Sequence, residues 1–182
     1  MNDGFPVPGL SGGAIRASAL RARAVLGLPE GRLDIPRALD LLSEFGIDYD
    51  VCDSECSPIP PGVEACFVPE TRTLYIRDTV YSEMNIGIGR AVFTFGHEIG
   101  HVVLAHKRAF NREGSQKSMS TVPIYCKSEW QANKFAAEFI MPIDQIQRHQ
   151  LFSATAIQAF FGVSAEAARN RESDLRKSGE LK

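Results

Sequence analysis

The stretch RAVFTFGHEIGHVVLAH, residues 90 to 106, is apolar enough to form a core helix, yet it carries two histidines four positions apart around a glutamate. Phe93, Phe95, Ile99, Val102, Val103 and Leu104 ask for burial, and they take His97, Glu98 and His101 inward with them. Left unpaired, two imidazoles and a carboxylate would cost several kcal/mol of desolvation there. Residues four apart on a helix differ by about 40° in direction, so both imidazoles project from one face and can share a cation. Zn²⁺ favours such nitrogen ligands in a tetrahedral site and, in catalytic sites, leaves the fourth position to water. Glu98 adjoins the first ligand and can reach that water without binding the ion, the H-E-x-x-H pattern in which glutamate is the general base. Satisfied core histidines are the bland alternative, but they leave the desolvation cost unanswered. Gly100 adds to the case: a glycine inside a helix costs about 0.8–1 kcal/mol relative to alanine, and close approach of another element is its natural compensation.

The rest of the chain sets the frame. At 182 residues with 44% hydrophobic content it can bury a sizeable core as a single domain, 1–182. A net charge of −2 supplies no global field to hold a polyanion or an anionic membrane surface. The opening residues, 1–13, read as flexible and lack a basic then apolar signal segment, and no apolar run reaches the 18 or so residues of a membrane span. A cytoplasmic location follows, with no membrane partner. In that compartment Cys52, Cys56, Cys66 and Cys126 are expected as reduced thiols, the first three matching no zinc ribbon or finger spacing well.

Periodicity places the elements. Ile15, Ala19, Ala22 and Leu26 make a helical stripe ending at Gly27 and Pro29. Asp34 and Pro36 open a second helix with Leu41, Leu42 and Phe45 expected inward. Ile47, Tyr49 and Val51 alternate with acidic residues as in a half-buried strand, SPIPPG is a loop, and ACFV and TLYIR flank PETR as a β-hairpin. Residues 107–127 are polar and aperiodic, a length of loop that is usually functional or mobile. Ser128 and Gln131 have the spacing of a capping box at the start of the next helix, which runs to Pro142. Cys126 reads as a thiol at that helix start. Residues 153–176 form two short helices separated by FGVS.

A tetrahedral site needs a third protein ligand, and Glu129, Glu138, Asp144, His106 and His149 are the candidates. His106 lies nine residues after His97, about 180° round the helix, and reads as a surface histidine. Glu129 and Glu138 are likewise nine apart, so at most one faces the ion. Glu129 shares its face with Asn133, Ala136 and Ile140, small or neutral groups able to pack on Gly100, which favours it without closing out Glu138.

The block from Phe93 to His101, followed by Glu129-x3-Asn133 and by Ala136-Ala137-Glu138-Phe139-Ile140-Met141-Pro142, resembles the ImmA/IrrE family of metallopeptidases. The resemblance spans about residues 15–176, and Gly96, where the family often has alanine, is a minor departure. It implies an α+β, mainly helical zincin-like domain, with a small antiparallel sheet before the H-E-x-x-H helix and a C-terminal helical tail. It also implies that Glu129 is the third zinc ligand beside His97 and His101, with Glu98 catalytic. The activity implied is that of an endopeptidase cutting a partner protein, typically a helix-turn-helix transcriptional repressor, in a stress, phage or mobile-element response. Tyr75, Tyr81 and Tyr125 are conceivable oxyanion donors, and strand TLYIR could hold an extended peptide by its edge. The rival is a non-proteolytic regulator with a structural zinc. The tail has helix-turn-helix character, with Arg169, Asn170 and Arg171 placed to touch DNA, but Glu166, Glu172 and Asp174 on the same segment make direct nucleic-acid binding the weaker reading.

Overall fold

A computed structural model describes residues 4–53, 59–106 and 119–181. Helix α1 (Gly12–Val25) is capped by the Ser11 hydroxyl, which accepts from the Ala14 N–H, and buries Ile15 and Ala19 as the stripe requires. Helix α2 (Ile35–Ser43) is capped by Asp34 with Pro36 in its first turn. Its inward face is Ala38, Leu39 and Leu42. Phe45, expected inside, is instead 44% exposed, because the helix has ended at Ser43 and the chain reverses through Gly46 at φ 67°.

Strands β1 (Asp48–Cys52), β2 (Ala65–Val68) and β3 (Thr73–Arg77) form one sheet in the order β1-β3-β2. The β2–β3 hairpin is antiparallel as its turn chemistry predicts, while β1 pairs parallel to β3, Asp48 opposite Thr73 through Cys52 opposite Arg77, making the sheet mixed. Strand TLYIR is therefore central, with both edges paired. The edge beside the motif helix is β2, a correction to the expectation that TLYIR offers its edge to a peptide. Helix α3 (Asp78–Asn85) intervenes before the motif; its sequence DTVYSEMN buries only Val80 and Met84, a stripe of two residues and too short to mark a helix by periodicity.

The motif helix α4 (Gly89–Val103) packs against α5 (Ser128–Ile140), and α5 against α1. Phe135 and Phe139 stack at 5.5 Å between ring centroids, Phe95 tilts against Phe139 at 6.4 Å, and all three are fully buried. Each such ring contributes about 1.5–3 kcal/mol by leaving water. Helices α6 (Ile143–Arg148), α7 (Ala154–Phe161) and α8 (Ala165–Lys177) complete the tail, with left-handed Gly162 closing α7 and Ser164 capping α8. Among the described residues no helix is long and apolar enough to cross a membrane.

Four expectations change here. Residues 4–11, read as flexible, run along the start of α5: Pro6 bridges Lys127, Val7 N–H donates to the Cys126 carbonyl, and the Ser128 hydroxyl accepts from Phe5 N–H. That hydroxyl is consequently no capping group, and α5 begins at Ser128 after an N-cap residue, Lys127, that makes no side-chain cap. Arg171, placed on a DNA-contacting face by the sequence, is buried and makes a two-pronged ion pair with buried Glu138 at 2.9 and 2.7 Å. Cys52 is disulfide-bonded, whereas Cys66 and Cys126 are thiols. Cys56 and residues 107–118 of the long polar segment lie outside the described residues; its remainder forms short 3-10 turns at Met119–Thr121 and Ile124–Cys126.

Candidate metal centre

Helix α4 brings His97 and His101 together as their spacing demands: the two Nε2 atoms are 3.0 Å apart. Helix α5 supplies the third group. The Glu129 carboxylate places Oε2 3.3 Å from His97 Nε2 and Oε1 3.6 Å from His101 Nε2. In a tetrahedral zinc site with ligand bonds near 2.0–2.1 Å, neighbouring donors stand about 3.3 Å apart. The separations of 3.0, 3.3 and 3.6 Å bracket that edge, so the donor set fits a small divalent cation in both chemistry and spacing. Glu98 also stands close, its carboxylate within 4.8 Å of the histidine nitrogens. Its Oε2, however, accepts from the Phe67 N–H on β2 at 3.2 Å, which turns it toward the sheet.

The α4–α5 approach that makes this possible runs through glycine. A Cβ on Gly100 would stand 3.1 Å from both Cα and O of Ala132 and 3.2 Å from Phe135 Cβ, so the absence of a side chain there lets the helices close. The same contact was legible in the cost of a mid-helix glycine.

Each imidazole of the pair is held from behind. His97 Nδ1 donates to Asn133 Oδ1 at 2.9 Å, one turn beyond Glu129 on α5. His101 Nδ1 is 3.0 Å from Nδ1 of His106, whose Nε2 is 2.9 Å from Gln131 Oε1. His106 is thus a buried neighbour of the site and no surface residue. The helical extrapolation failed because α4 ends at Val103 and the chain doubles back through Ala105 at φ 52° with neither Gly nor Pro to announce it. For Asn133 the signal was present, since it shares a face with Glu129.

The other ligand candidates are engaged elsewhere. Asp144 pairs with Arg148 at 3.7 Å, His149 with Glu30 at 2.8 Å, and Glu138 with Arg171. Tyr81 stacks on Tyr49, Tyr75 lies opposite Cys66 in the sheet, and Tyr125 is half exposed; none of these contacts is with His97, His101 or Glu129.

Electrostatics follow from burial and proximity. Burial raises the Glu98 carboxyl to about 7, only partly offset by the charge of His97 and the Phe67 N–H. Burial opposes the imidazolium of His97, but Glu129, Glu98 and Asn133 outweigh it and hold His97 above the ordinary histidine value. Burial also works against the Glu129 carboxylate, yet His97, His101 and His106 together hold it below the ordinary range. Burial keeps His106 below its usual value and therefore neutral near pH 7.

No curated protein matches the chain. A solved structure described as a Mycobacterium tuberculosis transcriptional regulator superimposes with a TM-score of 0.57 at 20% identity, over 85% of this chain and 44% of that one, a likeness of fold. This chain therefore spans less than half the length of that neighbour. The family model Peptidase_M78, the IrrE N-terminal-like domain, matches residues 66–173, from the edge strand through helices α4 and α5 into α8. Because that match takes in more than half of the sequence, the chain belongs to the IrrE N-terminal-like domain family, a metallopeptidase-type family.

Proposed function

We propose that the chain is a single zinc-dependent endopeptidase domain, with His97, His101 and Glu129 holding the ion and Glu98 as general base. The observation that carries this reading is the convergence of two imidazole Nε2 atoms and one carboxylate within 3.0–3.6 Å, beside a second, buried carboxylate that is not needed as a ligand. Zinc bound there would supply a Lewis acid that polarises a peptide carbonyl and acidifies water.

The remaining steps fall to the chain itself. Glu98, held by the Phe67 N–H and with its carboxyl raised to about 7, accepts a proton from the attacking water. As the C–O bond forms and the C–N bond breaks, Glu98 returns that proton to the departing amine. Asn133 and His106 keep the ligand rings oriented. Edge strand β2 offers main-chain groups beside Glu98 to an extended substrate segment.

The substrate we infer is a partner protein, a helix-turn-helix transcriptional repressor, cut in a stress or mobile-element response; the support for this is the family resemblance. Burial of Arg171 against Glu138 weighs against the DNA-binding reading. Co-expression with a repressor-like partner, followed by mass analysis of fragments, tests the proposal. Cleavage is expected with the native chain and a loss of about 10²–10⁴-fold with Glu98→Gln. Regulatory function undiminished in Glu98→Gln would instead mark the zinc as structural.

A further inference from the structure

We propose that His106 and Gln131 form a hydrogen-bond relay that fixes the tautomer of His101, making His106 a positioning residue for the metal centre. The direction of every bond in the relay follows from its far end. The Gln131 amide nitrogen donates to two backbone carbonyls, Pro8 O at 2.9 Å and Tyr125 O at 2.7 Å. An amide so engaged presents its oxygen on the other side, toward His106 Nε2 at 2.9 Å. His106 must then carry its proton on Nε2 to donate to that oxygen. A neutral ring protonated at Nε2 has a lone pair at Nδ1, which can only accept. The group facing it at 3.0 Å is His101 Nδ1, so His101 is protonated at Nδ1 and the lone pair of its ring lies on Nε2. That lone-pair nitrogen is the one that stands 3.0 Å from His97 Nε2 and 3.6 Å from Glu129 Oε1, where a cation would sit.

His97 reaches the same tautomer by a shorter route, because the Asn133 oxygen accepts from its Nδ1. Helix α5 therefore does three things for the centre: Glu129 faces the ion, Asn133 sets one imidazole directly, and Gln131 sets the other through His106. The two carbonyls that orient Gln131 belong to the N-terminal segment and to the 3-10 turn before α5. The outermost link of the relay thus lies outside the helices that hold the ion. Phe5 closes over it, its ring edge-on to His106 at 6.5 Å. Residues four apart on one helix would bring two imidazoles together in either tautomer; the relay removes the wrong one for His101 before any ion arrives.

This inference rests on the reading of His101 as a zinc ligand, and the experiment separates the two. In the metal-stripped full-length chain, long-range ¹H–¹⁵N spectra of the histidine rings at neutral pH report which nitrogen of His101 bears the proton. Protonation at Nδ1 in the native chain is expected, with a mixture of tautomers in His106→Leu. Zinc affinity, measured by competition with a chromophoric chelator, is expected to weaken about 10- to 100-fold in His106→Leu. In His106→Asn, whose side-chain oxygen can accept from His101, most of that loss is expected to be recovered. A native chain with His101 protonated at Nε2 overturns the relay, and so does a folded His106→Leu chain that binds zinc within about twofold of native. A native chain that takes up no zinc overturns the metal-site reading alone, and its His101 tautomer still decides the relay.

Discussion

Replacing Arg171 by leucine removes one half of the most deeply buried ion pair among the described residues. Arg171 gives Nη1 and Nη2 to the two oxygens of Glu138 at 2.9 and 2.7 Å and Nε to the Met141 carbonyl at 3.0 Å, with both side chains shut away from water. Breaking such a pair from one side costs about 3–5 kcal/mol, chiefly because the remaining charge is stranded. Here Glu138 keeps Arg16 at 3.1 Å and Lys134 at 3.8 Å, both partly exposed, so the lower end of that range, about 3 kcal/mol, is expected. In a chain of this size that lowers the melting temperature by about 6–12 °C. The assay is urea unfolding followed by circular dichroism, with Glu138→Leu and the double variant completing a cycle. The double variant leaves no buried charge behind, so it is expected to be more stable than either single one. A loss below about 1 kcal/mol in Arg171→Leu would refute the reasoning and return Arg171 to the surface role its helix-turn-helix setting suggests.

Acid should loosen the same cluster. Arg16 holds the Glu180 carboxyl down at about 2, and Glu138, although burial opposes its charge, is held below its ordinary value by Arg171 and Arg16. Carboxyls depressed in the folded state contribute stability above their unfolded values and lose it as pH falls through the folded ones. Unfolding free energy should therefore drop between about pH 4.5 and pH 2, with a shallower slope in Glu180→Gln; equal slopes in a pH series of melts would contradict this. Gly100→Ala forces a Cβ to 3.1 Å from the Ala132 backbone, and a cost of about 1–3 kcal/mol together with weakened zinc binding is expected. At Gly96 the obstacle is the Cδ1 end of the Ile140 side chain, 2.6 Å away, and no backbone atom within 3.4 Å, so Gly96→Ala should cost less than Gly100→Ala in the same melts, the gain in helix propensity offsetting part of the contact.

What the sequence could and could not convey divides along physical lines. Local periodicity was enough for the His97–His101 pair, for the β2–β3 hairpin and for the helix ends at Gly27 and Gly162, because each depends on neighbours in the chain. The contact at Gly100 was legible because an unfavourable residue in a helix asks for a tertiary reason. The rest depended on distant segments. Ser128 and Gln131 have capping-box spacing, yet Phe5 takes the serine hydroxyl while His106, Pro8 and Tyr125 take the glutamine. Arg171 has the look of an exposed charge until Glu138, thirty-three residues earlier, is folded against it. The parallel pairing of β1 with β3 skips a strand in sequence, and no local pattern encodes that.

Zinc-edge anomalous scattering from a crystal of the full chain grown with zinc examines the centre without reference to any substrate. One peak is expected, within bonding distance of His97 Nε2, His101 Nε2 and the Glu129 carboxylate, and it should vanish or weaken sharply in Glu129→Ala. A peak that persists unchanged in that variant, or no density between the two histidines at saturating zinc, would contradict the account at its root.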